Sequence, residues 1–328
     1  MSIVVTGSIA TDNLMEFPGR FRDQLVDGHL EEISLSFLVD ELQIRRGGIG
    51  ANIAFGMGLL GLRPLLVGSV GKDFESYRPW LEDHGVNTGA VRISETKQTA
   101  RFLCTTDTDK NQIASFYAGA MAEAREIDLT SIVSTVDELE LVVISPDDPE
   151  AMLKHTEACR KEGFPFAADP SQQIARMDGE GLRALIDGAT HVFTNGYERE
   201  LLEQKTGWDR EEILDRVGAQ VTTFGSKGVE IARKSQQVLS VPAAPERHKS
   251  DPTGVGDALR AGYLAATTWG VTEERAMQVG CLLATLSLEA VGPQEYEFEN
   301  EQFIKRLSEA YGEDAADDIR PHLAGGQL

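Results

Sequence analysis

The segment DPTGVGDALRAGYLAA, residues 251–266, sets a carboxylate against two glycines at the start of a helix-period run. Ala258, Ala261, Gly262 and Ala265 recur at helical spacing, a stripe of small residues able to lie close to a sheet. Gly254, Val255 and Gly256 lead directly into that helix, so its first backbone N–H groups lack intrahelical acceptors and the positive end of the helix dipole adds to them. Such a spot holds an anion without a lysine. Asp257 stands beside it and could accept a hydroxyl proton while those N–H groups take up charge on a transferred phosphoryl group. A merely capped helix has the same look, so the rest of the chain must supply partners.

Two stretches offer them. In RRGGIGANIAFGMG (45–58), Ala51, Ala54, Phe55 and Gly58 fall at i, i+3, i+4 and i+7, which predicts a helix from near Ala51. Gly47, Gly48 and Gly50 precede it and let the backbone pass close to a bound molecule, and Asn52 in the first turn can donate to a hydroxyl. THVFTNGYERELLEQKTG (190–207) puts Asn195 and Glu198 at a strand end and helix start, where the same pair also reads as a capping box. TTFGSKG (222–228), with Thr223, Gly225 and Gly228, can lie along a triphosphate or simply turn. GMGLLG (56–61) satisfies the GxGxxG dinucleotide fingerprint, yet it lies inside a helical pattern instead of at a strand-to-helix turn. No GxxxxGK[ST] loop occurs anywhere.

The elements that must position these residues alternate. IVVTG (3–7), LLVGSVG (65–71), LELVVIS (139–145), FPFAADP (164–170), HVFTNG (191–196) and AQVTTFG (219–225) read as buried strands. Helical stretches such as 150–163 and 180–189 lie between them, so the fold class is α/β, a mostly parallel sheet with helices on both faces. Ligands of such sheets sit beyond the carboxyl ends of the strands. Two segments break the rhythm. EISLSFLVDELQIRR (32–46) alternates with period two, Ile33, Leu35 and Phe37 on one face, and TARFLCTTDTDKNQIASFYAG (99–119) reads as two strands around a TDTDKN turn. Together they predict a small β lid from about 13–46 and 98–119 on one catalytic domain spanning 1–328. Its exposed strands have edges that invite pairing, which suggests a homodimer through the lids. The C-terminal DDIRPHLAGGQL is expected to fray.

Composition narrows the partners. The chain has 328 residues, 41% apolar, with no run long enough for a membrane helix and no basic, apolar leader in MSIVVTGSIATD, so cytoplasmic residence is expected. Cys104, Cys159 and Cys281 are scattered, which argues for reduced thiols, and the six histidines show no HxxxH spacing for zinc. A net charge of −22 repels nucleic acid and anionic membrane, so neither is an expected partner. Any anionic ligand must therefore be held by local devices.

In combination, DPTGVGD resembles the C-terminal signature of the ribokinase-like (PfkB) family of sugar and nucleoside kinases, usually DxTGAGD. GGIGAN resembles that family's N-terminal signature, and NGYE its NxxE element, in the same order. Within the family, VTGSIATD, SLSFLVD, TARF, QIASFYAGAM and AADPSQQIARM look most like the bacterial adenosine kinases. The resemblance implies a ribokinase-like three-layer sandwich with a β-sheet lid, and phosphorylation of the 5′-hydroxyl of adenosine by ATP in purine salvage. By matching position it implies Asp257 as base and Gly254, Val255 and Gly256 as the anion hole. Asp12, Gly48 and Asn52 would bind the ribose hydroxyls, Ser8, Ser36 and Gln173 the nucleoside, and Phe102 and Phe116 would flank the base. Asn195, Thr223, Gly225, Gly228 and Gly256 would line the ATP groove, with Mg2+ near Glu198, through water. A K+ requirement is left open. Val255 replaces the usual Ala and Leu259 a frequent Phe, exchanges that bear on packing. The alternatives are a family kinase of another nucleoside or of a sugar such as ribose or fructose, and a catalytically silent nucleoside-binding protein.

Overall fold

The computed structural model describes residues 2–24 and 36–324. Its strands are, in chain order, β1 (Ser2–Thr6), β2 (Ala10–Glu16), β3 (Glu41–Gly47), β4 (Leu65–Val67), β5 (Ser69–Val70), β6 (Arg92–Ile93) and β7 (Ala100–Thr106). They continue with β8 (Gln112–Tyr117), β9 (Leu139–Ile144), β10 (Phe166–Ala168), β11 (His191–Asn195), β12 (Gln220–Thr223), β13 (Val229–Ala232) and β14 (Leu239–Val241). Eight of them form the main sheet in the order β14-β13-β12-β11-β10-β9-β1-β4. It is parallel from β12 to β4, and β13 and β14 add an antiparallel edge.

Continuous apolar runs suit these strands because both faces are covered. Successive side chains alternate: Val5, Val143, Ala167 and Phe193 enter one core, and Val4, Val142, Ile144 and Val192 enter the other. The first core packs against helices Ile49–Leu59, Val255–Thr267 and Glu273–Glu289, and the second against Pro149–Glu162 and Gly179–Ile186. This is a three-layer α/β sandwich. The strand order reverses at β1, which has β4 on one side and β9 on the other, and a ligand crevice belongs at such a switch point.

Four strands, in the order β3-β2-β7-β8, form the second sheet over the carboxyl ends of the first. The TDTDKN turn joins β7 to β8 as the sequence predicts. Asp12 pairs with Phe102, and Phe102 with Phe116, so the three share the face turned to the crevice.

Some expectations need correction. LLVGSVG is not one strand: Gly68 packs against the Gly7 carbonyl, and the chain then leaves the main sheet so that β5 pairs with β6. Among the described residues of 32–46 the strand begins only at Glu41, as part of Glu41–Gly47; Ile33 and Leu35 lie outside the described residues, and Phe37 packs against Phe17 and Phe21 at 5.0 and 4.9 Å. The small-residue stripe meets helices rather than the sheet, Ala261 lying against Gly56 and Gly262 against Gly280. The C-terminal stretch does not fray up to residue 324. It forms helix Glu313–Ala324, with Ala315, Ala316, Ile319 and Leu323 buried at helical spacing.

Candidate active site

A cavity of 730 Å³ opens at the carboxyl ends of the parallel strands. Ser8 follows β1, Asp147 follows β9, Ser171 follows β10, and Asn195 and Thr223 end β11 and β12; all five line it. Both glycine loops reach it, through Gly48 and Asn52 on one side and Gly254, Gly256 and Asp257 on the other. Asp12, Phe102 and Phe116 cover it from the second sheet. The two loops touch: the Asn52 amide donates to Asp257 Oδ2 at 2.8 Å across 205 positions of sequence.

Local structure explains that contact. Gly48 precedes the helix Ile49–Leu59 at φ 95°, and a Cβ there would lie 2.5 Å from the Ser8 carbonyl oxygen, so only glycine fits. The Ser8 hydroxyl accepts the Ile49 N–H at 3.0 Å, starting the helix two residues earlier than its apolar period suggests. The Gln294 side chain donates to Asn52 Oδ1 at 2.9 Å and also to the Tyr77 hydroxyl, which donates to the Gly47 carbonyl. With its oxygen so engaged, the Asn52 amide must turn its NH₂ toward Asp257. Gly254 caps the second helix at φ 80°.

Asp257 is 9% exposed, and burial pushes its carboxyl up to about 7, against the pull of Arg260 and the Asn52 hydrogen bond. A group titrating there can both take and release a proton near neutrality. Burial likewise raises Asp12 to about 6, opposed by Arg45, and Asp147 to about 8. Arg260 is ion-paired with Asp169, Nε to Oδ2 at 2.7 Å and Nη2 to Oδ1 at 2.8 Å.

A second cavity of 360 Å³ adjoins the first and shares Thr223 and Gly256 with it. Gly225, Gly228, Val255 and Leu259 line it. The shared residues stand where a donor in one cavity would meet an acceptor in the other. Ser36 is exposed and lines neither cavity. Gln173 lines the first cavity and is anchored there by donating to the Asp147 carbonyl at 2.8 Å.

Residues 20–299 match the profile of the pfkB family carbohydrate kinases. The chain belongs to this family. It is 32% identical to a nucleoside kinase of Methanocaldococcus jannaschii over 253 residues, 76% of this chain and 80% of the relative. The structure of a Burkholderia thailandensis nucleoside kinase in complex with inosine superposes with TM-score 0.82 at 34% identity, covering 95% of this chain and 98% of that one. The same Burkholderia protein is also seen with ADP and inosine. An adenosine kinase from Sinorhizobium meliloti, at 21% identity and TM-score 0.71 over 89% of this chain and 95% of that one, shows the fold alone.

For a PfkB kinase, the nucleotide side raises the question of a metal. Asn195 and Glu198 do form the capping box: the Asn195 N–H donates to Glu198 Oε2 and the Glu198 N–H to Asn195 Oδ1, both at 2.8 Å. The described bonds use only one carboxylate oxygen of Glu198, whose pKa is raised by burial, and the residue lines the first cavity. The described residues hold no cluster of three metal-ligating side chains. This donor set fits Mg2+, which keeps its waters and binds through one or two carboxylates plus substrate phosphates. No described helix is long and apolar enough to cross a membrane.

Several residues of the site escaped the sequence reading, four of them instructive. Asp147 was within reach of the strand-end rule, since it stands just past β9. Arg260 follows Asp257 by three, on the same helix face. Tyr77 and Gln294 carry no sequence signal, because only the tertiary fold brings them to Asn52.

Proposed function

We propose that the chain is an ATP-dependent kinase of purine ribonucleosides acting on the 5′-hydroxyl, with adenosine and inosine both as acceptors. The observation that carries this reading is the Asn52–Asp257 hydrogen bond, which puts a hydroxyl-binding loop and a base beside an anion hole in one cavity. Asp12, Gly48 and Asn52 hold the ribose hydroxyls, and Phe102 and Phe116 offer faces to the base. Stacking is open to a flat purine and not to a bare sugar. The 5′-oxygen bonds to the γ-phosphorus as its bond to the β-phosphate oxygen breaks, and Asp257 takes the hydroxyl proton. The N–H groups from Gly254 to Asp257 hold the transferred group, and ADP remains along Thr223, Gly225 and Gly228. Mg2+, held near Glu198 and the phosphates, supplies positive charge to the polyphosphate when bound.

The resemblance to adenosine kinases favoured adenosine, with another nucleoside as the alternative. The more similar relatives carry the broader description, and one of them holds inosine, which favours a wider purine range. The intact GVGD speaks against a silent binding protein. The setting we infer is cytoplasmic purine salvage. The enzyme would work as a homodimer through the outer face of the second sheet, where Leu42, Ile44, Leu103, Ile113 and Tyr117 are exposed.

Phosphoryl transfer from ATP to adenosine, inosine, cytidine and ribose tests the reading. The purine nucleosides should give the highest kcat/KM; preference for ribose would overturn it. Sedimentation showing only monomer at micromolar protein would overturn the dimer.

A further inference from the structure

Arg260 is buried, 7% exposed, and only part of its fork is engaged. Nε and Nη2 face Asp169, and Nη2 also donates to the Ser171 hydroxyl at 3.2 Å. Among the described residues nothing pairs with Nη1. That nitrogen lies against the anion hole: a Cβ on Gly256 would sit 2.7 Å from it. The guanidinium carbon is 5.5 Å from the centre of the Phe193 ring, which backs the group and limits its freedom to swing away. Arg260 lines the acceptor cavity together with Glu198 and Asp257. Burial works against its charge, but Asp169 and Asp257 outweigh burial and raise its pKa, so it remains a guanidinium. Asp169 meets the charge through Nε and Nη2, which leaves Nη1 as the donor turned to an incoming anion.

We propose that Arg260 is a further catalytic residue, whose Nη1 donates to a non-bridging oxygen of the phosphoryl group in flight beside the Gly254–Asp257 N–H groups. It forms and breaks no covalent bond. As the phosphorus passes from the β-phosphate oxygen to the nucleoside 5′-oxygen, charge spread over its equatorial oxygens gains a preorganised donor. Asp169 and Ser171 hold the fork in place, and Gly256 leaves it room. The inference rests on the reading of Gly254–Asp257 as the phosphoryl site.

The test is Arg260→Gln, with Arg260→Gln/Asp169→Asn as a second variant that does not leave the Asp169 carboxylate without its ion-pair partner. Calorimetry should show AMP-PNP binding weakened at least about tenfold while ADP affinity stays within about twofold, because only the triphosphate reaches the anion hole. Turnover should fall about 10²- to 10³-fold, the range for one lost oxyanion donor, with nucleoside KM little changed. The acid limb of kcat/KM should move to higher pH. Asp257 faces Arg260, Asp169, Tyr296 and the Asn52 amide, with Glu198 near Arg260, and Arg260 is the cation among them that favours its ionised form. AMP-PNP and ADP affinities that fall together, or neither falling, would overturn the proposal. Asp257→Asn separates the two claims: full turnover in that variant sinks the base reading, whereas the difference between AMP-PNP and ADP still judges Arg260 alone.

Discussion

Asp257→Asn replaces the proposed base by a neutral group of nearly the same shape that can still accept the Asn52 hydrogen bond. Loss of a positioned base should cost about 10²- to 10⁴-fold in turnover, with nucleoside affinity nearly unchanged. Stability supplies an independent check. Burial lifts the Asp257 carboxyl from 3.8 in the ordinary state to about 7 in the fold. A carboxyl raised in this way favours the folded state while protonated, and that contribution is lost as pH rises from the unfolded value through the folded one. The difference corresponds to a ceiling of roughly 4 kcal/mol at 1.36 kcal/mol per pH unit. The attraction of Arg260 opposes the rise and is already contained in that net difference. Denaturant unfolding should therefore find the variant more stable than the parent by about 1 kcal/mol or more near pH 8.5, with little difference near pH 4. A gap that does not widen with pH would refute the idea of a buried carboxylate held against its desolvation. Unchanged turnover would refute the base.

Further outcomes follow from the same geometry. The kcat/KM profile should lose activity as pH falls through about 7, where Asp257 takes up its proton; a flat profile down to about pH 5 would count against the assignment. Phe102→Ala should raise nucleoside KM by about 1–3 kcal/mol of lost stacking while leaving the affinity for ADP alone, and an equal loss for both would make Phe102 a packing residue. Gly48→Ala forces a Cβ into the Ser8 carbonyl and a side chain into positive φ, so it should lower stability by at least about 1–3 kcal/mol in thermal or denaturant unfolding. An unaffected Tm would show that the loop yields.

The α/β layers were legible because strands buried on both faces must be apolar at every position, as in Val4–Val5 and Val142–Val143. The glycine loops were legible because their residue types follow from backbone needs, positive φ at Gly48 and Gly254 above all. Short edge elements were not. β13 and β14 carry no long period, and β5 separates from β4 through a tertiary contact at Gly68 that no local pattern signals. Asn195 and Glu198 show how one pair can satisfy two readings: they form a capping box and also line the cavity. Ser36 shows the limit of carrying a role over by position, since it is exposed and lines neither cavity. Gln294 and Tyr77, which fix the Asn52 amide, were beyond sequence reasoning because their partnership exists only in three dimensions.

The most direct test is a crystal structure with inosine or adenosine and AMP-PNP bound together. The account predicts the nucleoside 5′-oxygen within about 2.6–3.2 Å of the Asp257 carboxylate, and the triphosphate running from the second cavity to end at the Gly254–Asp257 N–H groups. A nucleoside whose 5′-hydroxyl points away from Asp257, or a triphosphate ending elsewhere, would contradict it.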